Sequence, residues 1–182
     1  MEYYLIPLAL LVAVAAWLTA VFHRLNHLYG QVQSAWVQWS HATRQRNECL
    51  GDFAAVFSGY LPQGDMLPRD LRRLTEDSQR ALTASPKAPV AGRMLSMGAA
   101  ERALRRVVGD SVQTLENSDR MRENQHLLQL CSQMSVTLFQ QEQIARSYNR
   151  FAADYNQALS APAGRLVGGL FGFVPVDSMG GA

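Results

Sequence analysis

Few residues in this chain have the type and spacing to do chemistry. His23 and His27 stand four apart, one helical turn, which can bring two imidazoles to one metal ion. No third ligand is near and no glutamate follows His23 as in a zincin, so two polar side chains flanking an apolar run explain the pair better. Cys49 and Cys131 fall in neither a CxxC nor any other metal-ligand spacing and read as buried free thiols. Serines and histidines occur without a nucleophile elbow, and no glycine-rich loop joins a strand to a helix. Arg102, Arg105 and Arg106 could meet anionic headgroups, but Glu101 and Asp110 dilute that patch into a solvated face. No catalytic residue, metal or cofactor is expected.

The most distinctive spacing is tandem. Tyr148-Asn149 and Tyr155-Asn156 are one heptad apart. The tyrosines fall on an apolar seam, where the expectation is burial with a hydrogen-bonded hydroxyl. The asparagines fall one step along, where an amide can fix the register between helices or subunits. A structural role comes first, assembly second and catalysis last.

The elements that must position these residues begin with Tyr3–Phe22, an apolar run with no charged side chain. About 20 such residues on a helix cross a hydrocarbon core of roughly 30 Å. A cleaved signal peptide is the rival, but Met1-Glu2 supplies no basic n-region, the run exceeds a normal h-region, and Leu18-Thr19-Ala20 is a poor cleavage site. Arg24 on the far flank favours an outward N-terminus and a cytoplasmic bundle, with a periplasmic bundle still open. The net charge of +2 over 182 residues, without aromatics interleaved in a basic run, excludes the footprint of a nucleic-acid binder.

Beyond Phe22 the apolar positions change period. Leu25, Tyr29, Val32, Trp36, Trp39, Leu50, Phe53, Phe57 and Tyr60 alternate steps of four and three, with Thr43 and Arg46 in the two places between. No proline falls between Leu8 and Leu61, so one helix should run from the membrane to about Tyr60. A second helix is expected from Pro68 to Ala84, with Arg72/Glu76 and Arg73/Asp77 pairs. The Ser85–Pro89 segment should be a flexible loop, and a third helix should follow from Val90 to Glu116, with Glu101 on its polar side. A fourth, capped by Ser118 or Asp119, should carry Leu127, Cys131, Met134, Leu138, Gln141, Ala145, Tyr148, Ala152, Tyr155 and Leu159 on its seam until Pro162 and Gly164 end it. The fold class is therefore all-α: a transmembrane helix continuing into an antiparallel bundle of about four long helices. The domains are an anchor at 1–22, a bundle at 23–163 and an apolar, glycine-rich tail at 164–182. The tail either caps the bundle end or, because the fourth helix returns towards the membrane, delivers Phe171 and Phe173 to lipid or to a partner there.

Two segments resemble the LemA family, bacterial proteins with one N-terminal membrane helix and a bundle of long helices. The first is Ala35-Trp36, Arg44-Gln45-Arg46 and Gly59-Tyr60; the second is the tandem tyrosine–asparagine pairs followed by a proline and Leu170-Phe171-Gly172-Phe173. Leu50-Gly51-Asp52, Ala161-Pro162 and Asp177-Ser178-Met179-Gly180 depart from the family pattern, so the chain looks like a divergent member. The resemblance implies residence in the bacterial inner membrane or an internal membrane derived from it. The motif residues it picks out are Trp36, Tyr60, Tyr148, Asn149, Tyr155, Asn156, Phe171, Gly172 and Phe173. The family has no agreed activity. Some members resemble membrane proteins involved in vesicle formation and others accompany membrane proteases, and neither role transfers by motif. The expected function is a non-enzymatic, single-pass scaffold, shaping a membrane or a compartment. An accessory or sensor subunit of a membrane enzyme such as a protease is the alternative. Trp36 and Trp39 offer more aromatic surface than a thin bundle end can bury alone, which points to a homo-oligomer; a protein partner at the membrane is also open.

Overall fold

A computed structural model describes residues 5–61, 66–84, 87–88, 94–119 and 123–179. The described residues form five helices and no strand: α1 (Leu5–Phe57), α2 (Leu67–Ala84), α3 (Met94–Glu116), α4 (Gln125–Ser160) and α5 (Pro162–Phe171). The all-α architecture with one long apolar N-terminal helix is as the sequence indicates. Tyr3, Tyr4, Pro62–Asp65, Ser85, Pro86, Pro89 and the Val90–Arg93 start expected for the third helix lie outside the described residues.

α1 is 53 residues of unbroken helix, roughly 80 Å long at 1.5 Å per residue. Its one hydroxyl in the apolar stretch, Thr19, donates back to the Ala15 carbonyl at 2.8 Å, so that hydroxyl needs no outside partner. The helix tightens and stops at Ser58–Tyr60, where Gly59 and Tyr60 make three-residue turns onto Val56 and Phe57.

α4 lies antiparallel on α1, and the match is heptad by heptad. Tyr29 meets Tyr155 with ring centroids 5.6 Å apart, Trp36 meets Tyr148 at 6.1 Å, and Gln141 donates to Thr43 at 2.9 Å. At the far end Asn124 hydrogen-bonds Tyr60. Each step of seven along α1 is answered by a step of seven back along α4, as facing seams require.

Two apolar cores result. The one nearer the apolar N-terminal stretch of α1 holds Leu25, Val32, Trp36, Trp39, Tyr148, Tyr155 and Leu159 and takes in Val167, Val176 and Met179 from the tail. The distal one joins Leu50, Phe53 and Phe57 of α1 to Leu71 of α2, Leu104, Val108 and Leu115 of α3, and Leu127, Leu130 and Met134 of α4.

Several expectations need correcting. α4 starts at Gln125, with Asn124 and not Ser118 or Asp119 as its cap: the Asn124 side chain accepts from the Leu127 N–H at 2.9 Å. Pro162 ends α4 but also starts α5, at a position where its missing N–H costs nothing. Gly164 lies inside α5, so the first part of the tail is helical. On α2, Arg73 pairs with Asp70 at 3.2 Å and Arg80 with Asp77 at 2.7 Å, one residue closer than the expected spacing; being exposed, these pairs add little. Trp36 and Trp39 are 1% and 4% exposed, stacked at 5.2 Å under Tyr148, so their surface is spent inside one chain.

Candidate functional site

Between the two cores sits a buried polar layer that draws on four helices. Arg46 of α1 is completely buried. Its guanidinium donates to both carboxylate oxygens of Glu101 on α3, to Gln141 Oε1 on α4 at 2.9 Å, to Ser78 Oγ on α2 at 3.1 Å, and to Asn47 Oδ1 at 2.9 and 3.2 Å. Ser78 and Gln141 donate in turn to Glu101, and Thr43 receives the other Gln141 bond. Among the described residues no buried side-chain polar atom lacks a partner. Burial alone would raise the Glu101 carboxyl pKa, but the Arg46 hydrogen bonds and charge, helped by Ser78 and Gln141, outweigh it and hold it below the usual range.

A layer of this kind positions helices. A buried ion pair adds little net stability over an apolar replacement, yet it penalises any arrangement that separates its members. By spacing alone Arg46 stands in a seam, whereas Glu101 falls on the arginine-rich, solvated side of its helix. Arg102, Arg105 and Arg106 are exposed as expected; Glu101 is drawn in because a seam arginine has nowhere else to discharge. Polar residues at three seam positions, Thr43, Arg46 and Gln141, were the signal that such a layer exists.

The tandem pairs hold the tail. After α5 the chain turns at Gly172, which adopts the left-handed conformation (φ 73°), and the Phe173 N–H closes onto the Gly168 carbonyl at 3.1 Å. It then runs extended back along α4. Tyr155 donates to the Val174 carbonyl at 2.9 Å, and Tyr148 to the Asp177 carbonyl at 2.9 Å. Asn156 takes both main-chain groups of Val176, donating to its carbonyl at 2.8 Å and accepting from its N–H at 3.0 Å. Asn149 does the same for Met179, at 3.1 and 2.7 Å. Two helical turns on α4 therefore match three residues of extended chain, each amide standing in for a strand neighbour. The register-fixing role expected of these amides is thus played towards the chain's own tail. Burial first, then the neighbouring Tyr29, pushes the Tyr155 pKa up to about 12, and burial, Asp177 and Tyr29 raise Tyr148 as well.

Phe171 and Phe173 close on the end of the apolar stretch of α1. Their ring centroids lie 4.8 and 5.7 Å from that of Phe22, the last residue of the apolar run. Phe173 is half-buried and Phe171 exposed. The tail thus caps the end of the bundle nearer the apolar stretch of α1 and also brings apolar surface beside that stretch.

Trp36 is in the proximal core, and Tyr60 fixes the far end through Asn124. The nine motif residues do not converge on one pocket. His23 and His27 are exposed, with His27 within 3.3 Å of Gln31, and among the described residues no three His, Cys, Asp or Glu side chains gather as metal ligands would. Cys49 and Cys131 form no disulfide and are half-buried; burial, then Asp52, raises the Cys49 thiol pKa. A shallow groove of about 610 Å³ between α1 and α4 is lined by Val37, His41, Phe139, Ile144 and several glutamines and carries no charged residue.

No family model matches the chain, and no curated protein matches it.

Proposed function

We propose that this chain is a non-enzymatic scaffold of LemA type, anchored in a membrane by α1 and assembling there with copies of itself. The state of α1 carries the reading. Ile6 to Trp17 are exposed on every side, yet the same helix enters the core at Leu25 without a break. Apolar surface on that scale is unfavourable in water and at home in hydrocarbon. His23 and Arg24 follow at the boundary and favour a cytoplasmic bundle, in a bacterial inner membrane or one derived from it. The motif residues act as supports: they set helix register and hold the tail, with no reactive group among them.

Self-association no longer rests on the tryptophans. The neutral α1–α4 groove supports it instead, flanked by Val37, Val136 and Phe139, each more than half exposed. A surface without charges meets its own copy across a two-fold axis without like-charge repulsion. The test is light scattering of the full chain in detergent over a concentration series. An oligomer that Val37→Asp with Phe139→Asp reduces to a monomer supports the reading, and a monomer throughout overturns it. A stoichiometric different chain, co-purifying in mild detergent and lost in the same variant, would select the accessory or sensor subunit of a membrane enzyme.

A further inference from the structure

We propose that α5 is a second membrane contact, a short helix lying in the headgroup boundary of the bilayer that holds α1, with Leu166, Leu170 and Phe171 facing the acyl chains. The proposal rests on α1 crossing that bilayer. Its first support is the polarity of α5. The face turned to the bundle consists of Gly164, Val167 and Gly168, all buried. The outward stripe, at steps of three and four, is Pro162, Arg165, Leu166, Gly169 and Leu170. A helix on the surface of a water-exposed bundle turns its charges outward. This one turns out leucines, 51% and 67% exposed, and a phenylalanine at 58%.

The second support is position. Ala163 and Gly164 share a cleft with Val21, Arg24, Leu25 and Leu28, while Phe171 at the other end packs on Phe22. Both ends of α5 therefore fall within the stretch of α1 from Val21 to Leu28, about 10 Å of helix against about 15 Å for α5, so α5 is inclined across α1. That level is where the apolar run ends, and a helix lying across a membrane helix there lies in the interfacial plane. Close contact fixes the orientation: a Cβ on Gly164 would stand 2.0 Å from the Ala158 carbonyl oxygen, and one on Gly168 2.7 Å from Leu159 Cδ1. Arg165, the one charged residue of α5, has a side chain long enough to reach headgroups from a shallow position. Through the Phe22–Phe171 contact the exposed surface of α5 is continuous with that of α1, so the medium that covers one reaches the other.

Nitroxide labels test this on the full chain. Leu170→Cys, Val12→Cys and Arg106→Cys are each made with Cys49→Ser and Cys131→Ser and placed in phosphatidylethanolamine–phosphatidylglycerol nanodiscs. Collision with oxygen and with a water-soluble nickel chelate is then measured. The expected result is an oxygen-to-nickel accessibility ratio at residue 170 several-fold above that at residue 106 and approaching that at residue 12; Leu166→Cys repeats the reading on the same stripe. A ratio at 170 equal to that at 106, with residue 12 still in lipid, overturns the proposal and leaves the anchor intact. Shielding of 166 and 170 from both quenchers means that protein covers α5, and also overturns it. Residue 12 open to the nickel chelate overturns the anchor reading and the proposal together.

Discussion

Glu101→Gln should destabilise this bundle far more than a change of one atom suggests. The Arg46 side chain is 1% exposed and that of Glu101 15%. After the substitution Asn47, Ser78 and Gln141 still accept hydrogen bonds from the guanidinium, but no negative charge faces it. Stranding one member of a buried ion pair costs about 3–5 kcal/mol. The partial exposure of Glu101 lets water approach the gap, which favours the lower end, about 3 kcal/mol, or roughly a hundredfold in the folding equilibrium. Urea titration of the full chain in detergent reads this directly, because Trp36 and Trp39 are buried beside Tyr148 and their emission reports opening of the proximal core. Far-UV circular dichroism follows the helices of both cores in the same samples. Arg46→Met with Glu101→Leu removes the stranded charge and should recover part of the loss, the remainder being the cost of Asn47, Ser78 and Gln141 losing the guanidinium. A Glu101→Gln variant within about 0.5 kcal/mol of the parent, or a double variant weaker than the single one, would refute the reasoning. The pH dependence has a fixed sign. The Glu101 pKa is lower in the fold than in the unfolded chain, so its contribution is complete above about pH 4.3 and is lost as pH falls through the depressed value. Glu101→Gln should lack that acid-side loss.

Asn156→Asp keeps the acceptor for the Val176 N–H but sets a carboxylate oxygen against the Val176 carbonyl, so hydrogen exchange at residues 174–179 should rise at least as much as in Asn156→Ala; unchanged protection would contradict the clamp. The protonated form of Tyr155 is favoured in the fold, so its hold on the tail is intact below about pH 10 and lost as pH rises through about 12. Tyrosinate absorbance should therefore show a late fraction that moves towards lower pH when Asn149→Ala and Asn156→Ala loosen the tail. Gly164→Ala forces a methyl onto backbone and should cost about 2 kcal/mol or more, seen as a lower urea midpoint, whereas Gly169→Ala, with nothing near its Cβ, should cost little or stabilise.

Much of the fold was legible because heptad spacing reports which face of a helix is buried. The facing seams of α1 and α4 follow from it, and so does the antiparallel return. What escaped was information that spacing does not carry. Glu101 looked like one acid among arginines, and only the position of α3 beside Arg46 makes it the counter-ion. The tandem asparagines were visible as a motif, but their partners are main-chain groups of Val176 and Met179, which have no signature in side-chain type. Pro162 reads equally well as the end of one helix or the start of the next, and α5 was missed for that reason. The tryptophan pair exceeds what one helix can bury, and it is Tyr148 from α4, packed on Trp36, that completes the burial.

The polar layer also limits how a signal could pass along the rod. Sliding α4 along α1 by one heptad, roughly 10 Å, would keep every apolar contact plausible but carry Gln141 away from Arg46 and Thr43 and strand a charge among leucines. The layer thus acts as an index mark between the two helices. A slip of α1 by a whole heptad past α4 is thereby penalised, although the apolar seams alone would tolerate it.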